Sequence, residues 1–384
     1  MIHSRSLFTR TVAAKDSAVV PVLFALQRIQ ALREKPTARS TLHVDKGPLH
    51  SAASGTWQHP LSPALPVLDA QRREYSVSEA HAYCERLLRA RSDSFDLPLA
   101  TARLPRSVQP HILAIYAFVR AADDFADEPT YAGQRQFALQ QWEHELFRTF
   151  HGEANHPIFV ALRDTIERFD LPVTPFSDLL SAFRMELSPP HFATFDALRV
   201  YCRHRSEPLG QLVLRLFGYG DVQRQRYAAD MALSFQLTTF LQDLSLDLQR
   251  GRLYIPQEDL EHFDLKCEAL QALLGAREDS PSTRDAATVR SFRELLRFQT
   301  ARARSFYERG RPLLGRIEND LGIELSLTFQ SGLALLDKID ALGDGLLRTR
   351  PTLGKAERAR VAARALGTRM PRILRRPKPR DAGG

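Results

Sequence analysis

Two stretches of the chain carry carboxylates at helical spacing within otherwise apolar sequence. The first is His111-Ile-Leu-Ala-Ile-Tyr-Ala-Phe-Val-Arg120-Ala-Ala-Asp123-Asp124-Phe-Ala-Asp127-Glu128. Ile112, Ile115, Tyr116 and Val119 form one helical face, and that face continues to Asp123 and Asp127. Asp124 and Glu128 sit one step around, again at i,i+4. The second runs from Phe235 to Arg252, where Gln236, Thr239, Asp243 and Asp247 share a face and Leu237, Phe240, Leu241, Leu244 and Leu248 cover much of the rest. A lone pair of acids four residues apart is ordinarily solvated surface. Two such stripes in mostly buried helices are different. Unit charges about 4 Å apart repel by about 4 kcal/mol at an effective dielectric near 20. Several carboxylates in one cavity therefore need cations. Hard oxygen ligands on rigid helices suit Mg²⁺, which keeps waters and shares phosphate oxygens with a substrate. The chemistry expected is metal-assisted handling of a diphosphate.

The elements that must position these groups read as helices. The chain has 384 residues, 43% of them hydrophobic and 26% charged, enough for a sizeable core. From Ser76 to about Gly345, apolar residues recur at three- and four-residue spacing, and strand-like alternation is scarce. Ser76-Val-Ser-Glu79 is a capping-box pattern. Breaks are expected at Pro105, Pro157, Pro172/Pro175, Pro189-Pro190, Pro256 and Pro281, and Gly251 marks the end of the second acidic helix. The fold class is all-α, one helical domain over residues 71–350 with loose ends.

Residues 1–70 mix Ser, Thr, Pro and scattered basic residues. They read as a poorly ordered extension, as a transit-type segment, or as the product of a start codon placed too far upstream. The net charge of +8 is uneven: from Arg348 to Gly384 there are twelve Lys+Arg against two Asp+Glu, a net +10, which leaves −2 for the remainder. Residues 351–384 read as a flexible basic tail, either solvated or in peripheral contact with an anionic membrane surface. Nucleic acid is not an expected partner, because the tail has no interleaved aromatics. Cys84, Cys202 and Cys267 are isolated and odd in number, which fits a reducing, cytoplasmic setting with no disulfide framework or zinc site of the CxxC kind. No GxGxxG fingerprint is present. The sequence sets no expectation for oligomeric state.

The first acidic segment, with Arg120 three residues upstream, resembles the first aspartate-rich motif of squalene/phytoene synthases. Gln236 to Pro256 resembles their second, through the tail Arg250-Gly-Arg-Leu-Tyr-Ile-Pro256. Arg91-Ser-Asp-Ser94-Phe95 with Leu104-Pro105 is similar to the family's N-terminal substrate-binding segment, and Leu335-Leu-Asp-Lys-Ile339 through Pro351 to its C-terminal helix and arginine. The match covers about residues 76–355. It implies a helical bundle of the class I isoprenoid synthase type with a central apolar cavity, Mg²⁺ as cofactor and a prenyl diphosphate as substrate. It also implies that Asp123, Asp124, Asp127, Thr239, Asp243 and Asp247 hold the metal, that Asp123, Asp127, Asp243 and Asp247 carry catalysis, and that Ser94, Arg120, Arg203, Arg205, Gln236, Arg252 and Arg350 bind the diphosphate. Phe95, Phe118, Phe183, Phe217 and Phe240 are candidates for the cavity wall, against ordinary core packing for each.

One segment points to a branch. Tyr201-Cys202-Arg203-His204-Arg205-Ser206-Glu207-Pro208-Leu209-Gly210 lacks the further Tyr that squalene and phytoene synthases carry after Tyr-Cys. It resembles the bacterial hydroxysqualene synthases of hopanoid biosynthesis, which ionise presqualene diphosphate, rearrange the cation and let water capture it. Gln242 before Asp243 fits that branch. Thr239 departs from the family's usual Asn, and Arg91 from its frequent His. The alternatives are a presqualene diphosphate, squalene or phytoene synthase acting on prenyl diphosphates, and a non-catalytic assembly factor with the same fold.

Overall fold

A computed structural model describes residues 74–90, 104–188, 191–275 and 286–367. Arg91, Ser94, Phe95, the N-terminal extension and the last part of the basic tail lie outside these. Among the described residues every regular element is helical. They comprise α1 (Val77–Ala90), α2 (Gln109–Asp127), α3 (Arg135–Phe150), α4 (Pro157–Phe169), α5 (Thr174–Met185), α6 (Phe195–Arg205) and α7 (Glu207–Leu216). After these come α8 (Val222–Gln242), α9 (Leu244–Gln249), α10 (Gln257–His262), α11 (Cys267–Gly275), α12 (Ala286–Gly310), α13 (Asn319–Leu342) and α14 (Lys355–Gly367).

The local signals act as the sequence expects. Ser76 accepts from the Glu79 backbone N–H while Glu79 accepts from the Ser76 N–H, which makes the capping box at α1. Pro157 opens α4, Pro175 lies in the first turn of α5, and Pro256 immediately precedes α10. Asp221 caps α8 by accepting from Arg224 N at 3.1 Å.

Two packed groups make the frame. α1, α2, α3 and α4 enclose an aromatic core around Trp142, whose ring lies 4.4 Å from Phe159 and 5.4 Å from Phe125. Its indole N–H donates to the Phe118 carbonyl at 3.2 Å, so the buried donor is satisfied. The second group is α8, α12 and α13. Tyr307 of α12 stands at its centre, edge-on to Phe235 of α8 and Phe329 of α13, with its hydroxyl 3.3 Å from Thr238. α7 touches both groups, packing on α2 and on α8.

Two expectations change. The second acidic helix is not continuous: it breaks at Asp243, which has φ −99° and ψ 6° between α8 and α9. The hydrogen bonds Asp243 N to Thr239 O and Asp247 N to Asp243 O keep the four-residue spacing across the break. Residues 355–367, expected as part of a flexible tail, are instead helical. α14 is helical and packs on α13, where Val361 and Ala365 bury against Leu327 in a small second core. Two apolar residues one turn apart are enough to seat the helix despite its many charges.

Candidate active site

α2 is buried on nearly every face from His111 to Ala126. That burial takes its last turn, with the acids, into the protein. Asp123 and Asp124 are 3% and 8% exposed, and Asp127 is half-buried. Arg120 serves both buried acids, with Nη1 3.6 Å from Asp123 and Nε 3.1 Å from Asp124. Burial works against the Arg120 charge, but Asp124 and Asp123 outweigh it and hold its pKa above the ordinary value.

α8 ends in the same way. Gln236, Thr239 and Asp243 are buried, and Asp247 is half-buried on α9. The Thr239 hydroxyl donates to the Phe235 carbonyl at 3.0 Å, so its hydrogen is spent on the helix and its lone pairs remain for a ligand. Arg350, from beyond α13, reaches back and donates through Nε to Asp243 at 2.5 Å. Gln242 holds the same segment, its Nε2 donating to the Pro351 carbonyl at 2.7 Å. The end of α9 is a Schellman turn. Arg252 N bonds to Asp247 O at 2.8 Å and Gly251 N to Leu248 O at 3.1 Å, with Gly251 at φ +69°.

Asp247 lies in the first turn of α9, while the α2 acids and Asp243 lie at helix C-termini, the negative ends of the macrodipoles, and neither last turn contains a basic residue. Carboxylates there are disfavoured by about 0.3–1 kcal/mol each, on top of their mutual repulsion. Asp123 Oδ1 and Gln236 Oε1 are buried acceptors without a hydrogen-bond donor, while Arg205 Nη1 and the Tyr116 hydroxyl are buried groups without an acceptor. Oxygen ligands of these types suit a hard divalent cation, although among the described residues no three of these carboxylates lie within 4.8 Å of one another. Unsatisfied donors beside them fit an anion.

The arginines expected on the diphosphate separate. Arg205 is buried and pairs with Glu186 at 3.1 Å; the Tyr201 hydroxyl also donates to Glu186, at 2.6 Å. Burial, then the Glu186 charge, keeps the Tyr201 phenol well above its usual pKa. Arg252 is half-buried at the end of α9. Arg203 is exposed on α6 and acts on Glu207 instead, so the structure does not bring it to the others. Its position follows from period: Tyr201, Cys202 and Arg205 take the buried face of α6 and leave 203 outward. Glu186, Tyr116 and Tyr254 were not singled out as site residues. Glu186 lies just past the end of α5, with no motif around it, and only the crossing of α5 and α6 reveals it.

A narrow, partly open apolar cavity lies between α7, α8, α13 and the 3₁₀ turn Arg311–Gly315. Gly210, Val213, Met231, Phe235, Leu321 and Leu325 contribute to its wall. Phe118, Phe183, Phe217 and Phe240 do not line it. Phe118 belongs to the Trp142 core, Phe183 lies under the Arg205 guanidinium, and Phe240 stacks on Tyr254 at 4.1 Å. Ordinary packing claims Phe118, and Phe235 takes the wall.

Residues 89–357 match the squalene/phytoene synthase family. A phytoene synthase of Arthrospira platensis is 33% identical over 249 residues, which cover 58% of this chain and 76% of that protein. One from Mycobacterium tuberculosis is 28% identical over 295 residues, covering 76% and 92%. Among solved structures, the squalene synthase HpnC of Alicyclobacillus acidocaldarius superposes with a TM-score of 0.62 at 33% identity, over 70% of this chain and 95% of that one. A dehydrosqualene synthase shares the fold, with a TM-score of 0.61 at 21% identity over 77% and 98%. The order of the acidic motifs, the helical frame and a family match that spans both lead to one assignment: this chain belongs to the squalene/phytoene synthase family.

Proposed function

We propose that the chain converts presqualene diphosphate to hydroxysqualene. The observation that carries this reading is the segment 201–210. It has Arg203-His204 where the resemblance leads one to expect a further Tyr after Tyr201-Cys202, and its Ser206, Leu209 and Gly210 line the apolar cavity. His204 pairs with Asp178 at 3.1 Å and Arg203 is exposed, so neither supplies the missing phenol.

Asp123, Asp124, Asp127, Thr239, Asp243 and Asp247 would hold Mg²⁺. When bound, the ion supplies Lewis acidity that draws charge onto the diphosphate oxygens. Arg120 and Arg350 stand beside the acids and would bind diphosphate oxygens as the C–O bond breaks. The electron pair leaves with the diphosphate. The cavity wall holds the hydrocarbon chains and keeps bulk water from the cation. After rearrangement, one water adds through oxygen and a proton is lost.

Purified protein incubated with Mg²⁺ and presqualene diphosphate should yield hydroxysqualene. Product from farnesyl or geranylgeranyl diphosphate alone would instead support a presqualene diphosphate, squalene or phytoene synthase, the reading favoured by the relatives' names. A folded protein inert toward all three would support an assembly factor, although buried, repelling carboxylates are of no use to a scaffold. We further propose that the basic C-terminal segment meets anionic lipid; cosedimentation with phosphatidylserine vesicles, but not neutral ones, is the expected result. Among the described residues no helix is long and apolar enough to cross a membrane.

A further inference from the structure

His81 of α1, His111 of α2 and Asp164 of α4 converge where those three helices pack together. One ligand atom from each lies within 4.8 Å of the other two. His81 Nε2 is 2.8 Å from Asp164 Oδ2, and His111 Nδ1 is 3.7 Å from the same oxygen. Ligands at 2.0–2.1 Å from a tetrahedral zinc ion stand about 3.3 Å apart, and the two observed separations straddle that value.

The hydrogen bonding asks for a cation here. His81 Nδ1 faces the Pro110 carbonyl at 3.2 Å, and Nε2 faces the carboxylate. A neutral imidazole has one N–H, so two acceptors demand a second proton or a metal ion in its place. His111 is buried and stays neutral: burial first, then the His81 charge, pushes its pKa down to about 4. Neutral imidazole is the form that ligates. The Thr165 hydroxyl gives its hydrogen to the Ala161 carbonyl, so it accepts from His111 Nδ1 at 3.0 Å. Phe169 packs edge-on against the His111 ring at 4.8 Å, and Arg168 is the opposing charge nearby.

We propose that His81, His111 and Asp164 bind one transition-metal dication of the zinc class, joining α1, α2 and α4. Two imidazoles and one carboxylate favour zinc, nickel or cobalt over magnesium. Asp164, with its side chain 29% exposed, gives the ion its way in and leaves a fourth position for water. Binding puts the ion between His81 Nε2 and the Asp164 carboxylate, and His111 ligates through Nδ1 with its ring hydrogen on Nε2. His111 lies twelve residues before Asp123 on α2, about 18 Å along the axis at 1.5 Å per residue, so this site is separate from the aspartates.

The test uses full-length protein stripped with EDTA and titrated with Zn²⁺ in magnesium- and phosphate-free buffer. Calorimetry should find one equivalent bound with micromolar or tighter affinity. Tm should rise by several degrees, and Co²⁺ in place of zinc should give visible d–d bands. His81→Gln and Asp164→Asn should each weaken binding at least ~10-fold, while an Asp123→Asn/Asp243→Asn double variant binds as wild type does. Should His81→Gln fail to fold, Asp164→Asn, at a partly exposed side chain, decides alone. Zinc uptake no greater than that of the site variants, or uptake abolished in the aspartate variant, overturns the site.

Discussion

Asp123 and Asp243 differ from ordinary surface acids in where their charge sits. Each is buried at the negative end of a helix, and the protein offers each one arginine, Arg120 and Arg350. Replacing either acid by Asn removes the charge and little volume. Asp123→Asn and Asp243→Asn should each lower turnover by orders of magnitude while the thermal transition stays intact; steady-state assays and circular dichroism check both halves. Thr239 lends a hydroxyl oxygen whose hydrogen is already committed to Phe235. Thr239→Asn installs the residue type that the family resemblance leads one to expect there and offers a carbonyl oxygen, a better acceptor toward Mg²⁺. The Mg²⁺ concentration for half-maximal turnover should fall several-fold, and a metal titration of both proteins measures it.

At the scale of elements, the site depends on how closely three helices approach. Gly332 of α13 faces the Tyr307 hydroxyl of α12, and a Cβ there would lie 1.8 Å from that oxygen and 2.5 Å from the ring carbon bearing it. The same hydroxyl reaches Thr238, one residue before Thr239 on α8. Gly332→Ala should therefore displace Tyr307, destabilise the fold by about 1–3 kcal/mol and disturb α8 beneath the acids. Adding Tyr307→Phe removes the clashing oxygen, so the double variant should recover part of the loss. Urea unfolding of the four proteins of the cycle measures that coupling.

Across the whole molecule, the first helical group carries a pH dependence. His111 faces His81, Asp164, Thr165, Phe169 and Arg168, and its pKa is depressed to about 4. The unfolded chain, with the usual histidine value near 6.5, then binds more protons than the folded one below that pH. Stability is full above about 6.5 and falls as pH drops toward 4, by up to about 3 kcal/mol from this group. In EDTA, Tm of the wild type should fall between pH 6.5 and 4 more steeply than that of His111→Gln. Equal slopes would assign the acid sensitivity to other groups.

How much of this was legible beforehand follows from what each signal depends on. Helix periods, the Ser76 cap, the Pro157 and Pro256 breaks and the acids at three- and four-residue spacing are local, so the linear chain states them outright. The resemblance alone points Arg350 to the diphosphate, and the fold shows it paired with Asp243. The break at Asp243, the seating of α14 on α13, the turning of Arg203 to solvent and the pairing of Arg205 with Glu186 depend on which helices cross. So does the His81, His111 and Asp164 cluster, whose members are separated by 30 and 53 positions in the chain and share no motif. Spacing along one helix fixes a face, because the backbone period is constant. Only packing decides which faces from different helices meet, because that choice minimises exposed apolar surface over the entire chain.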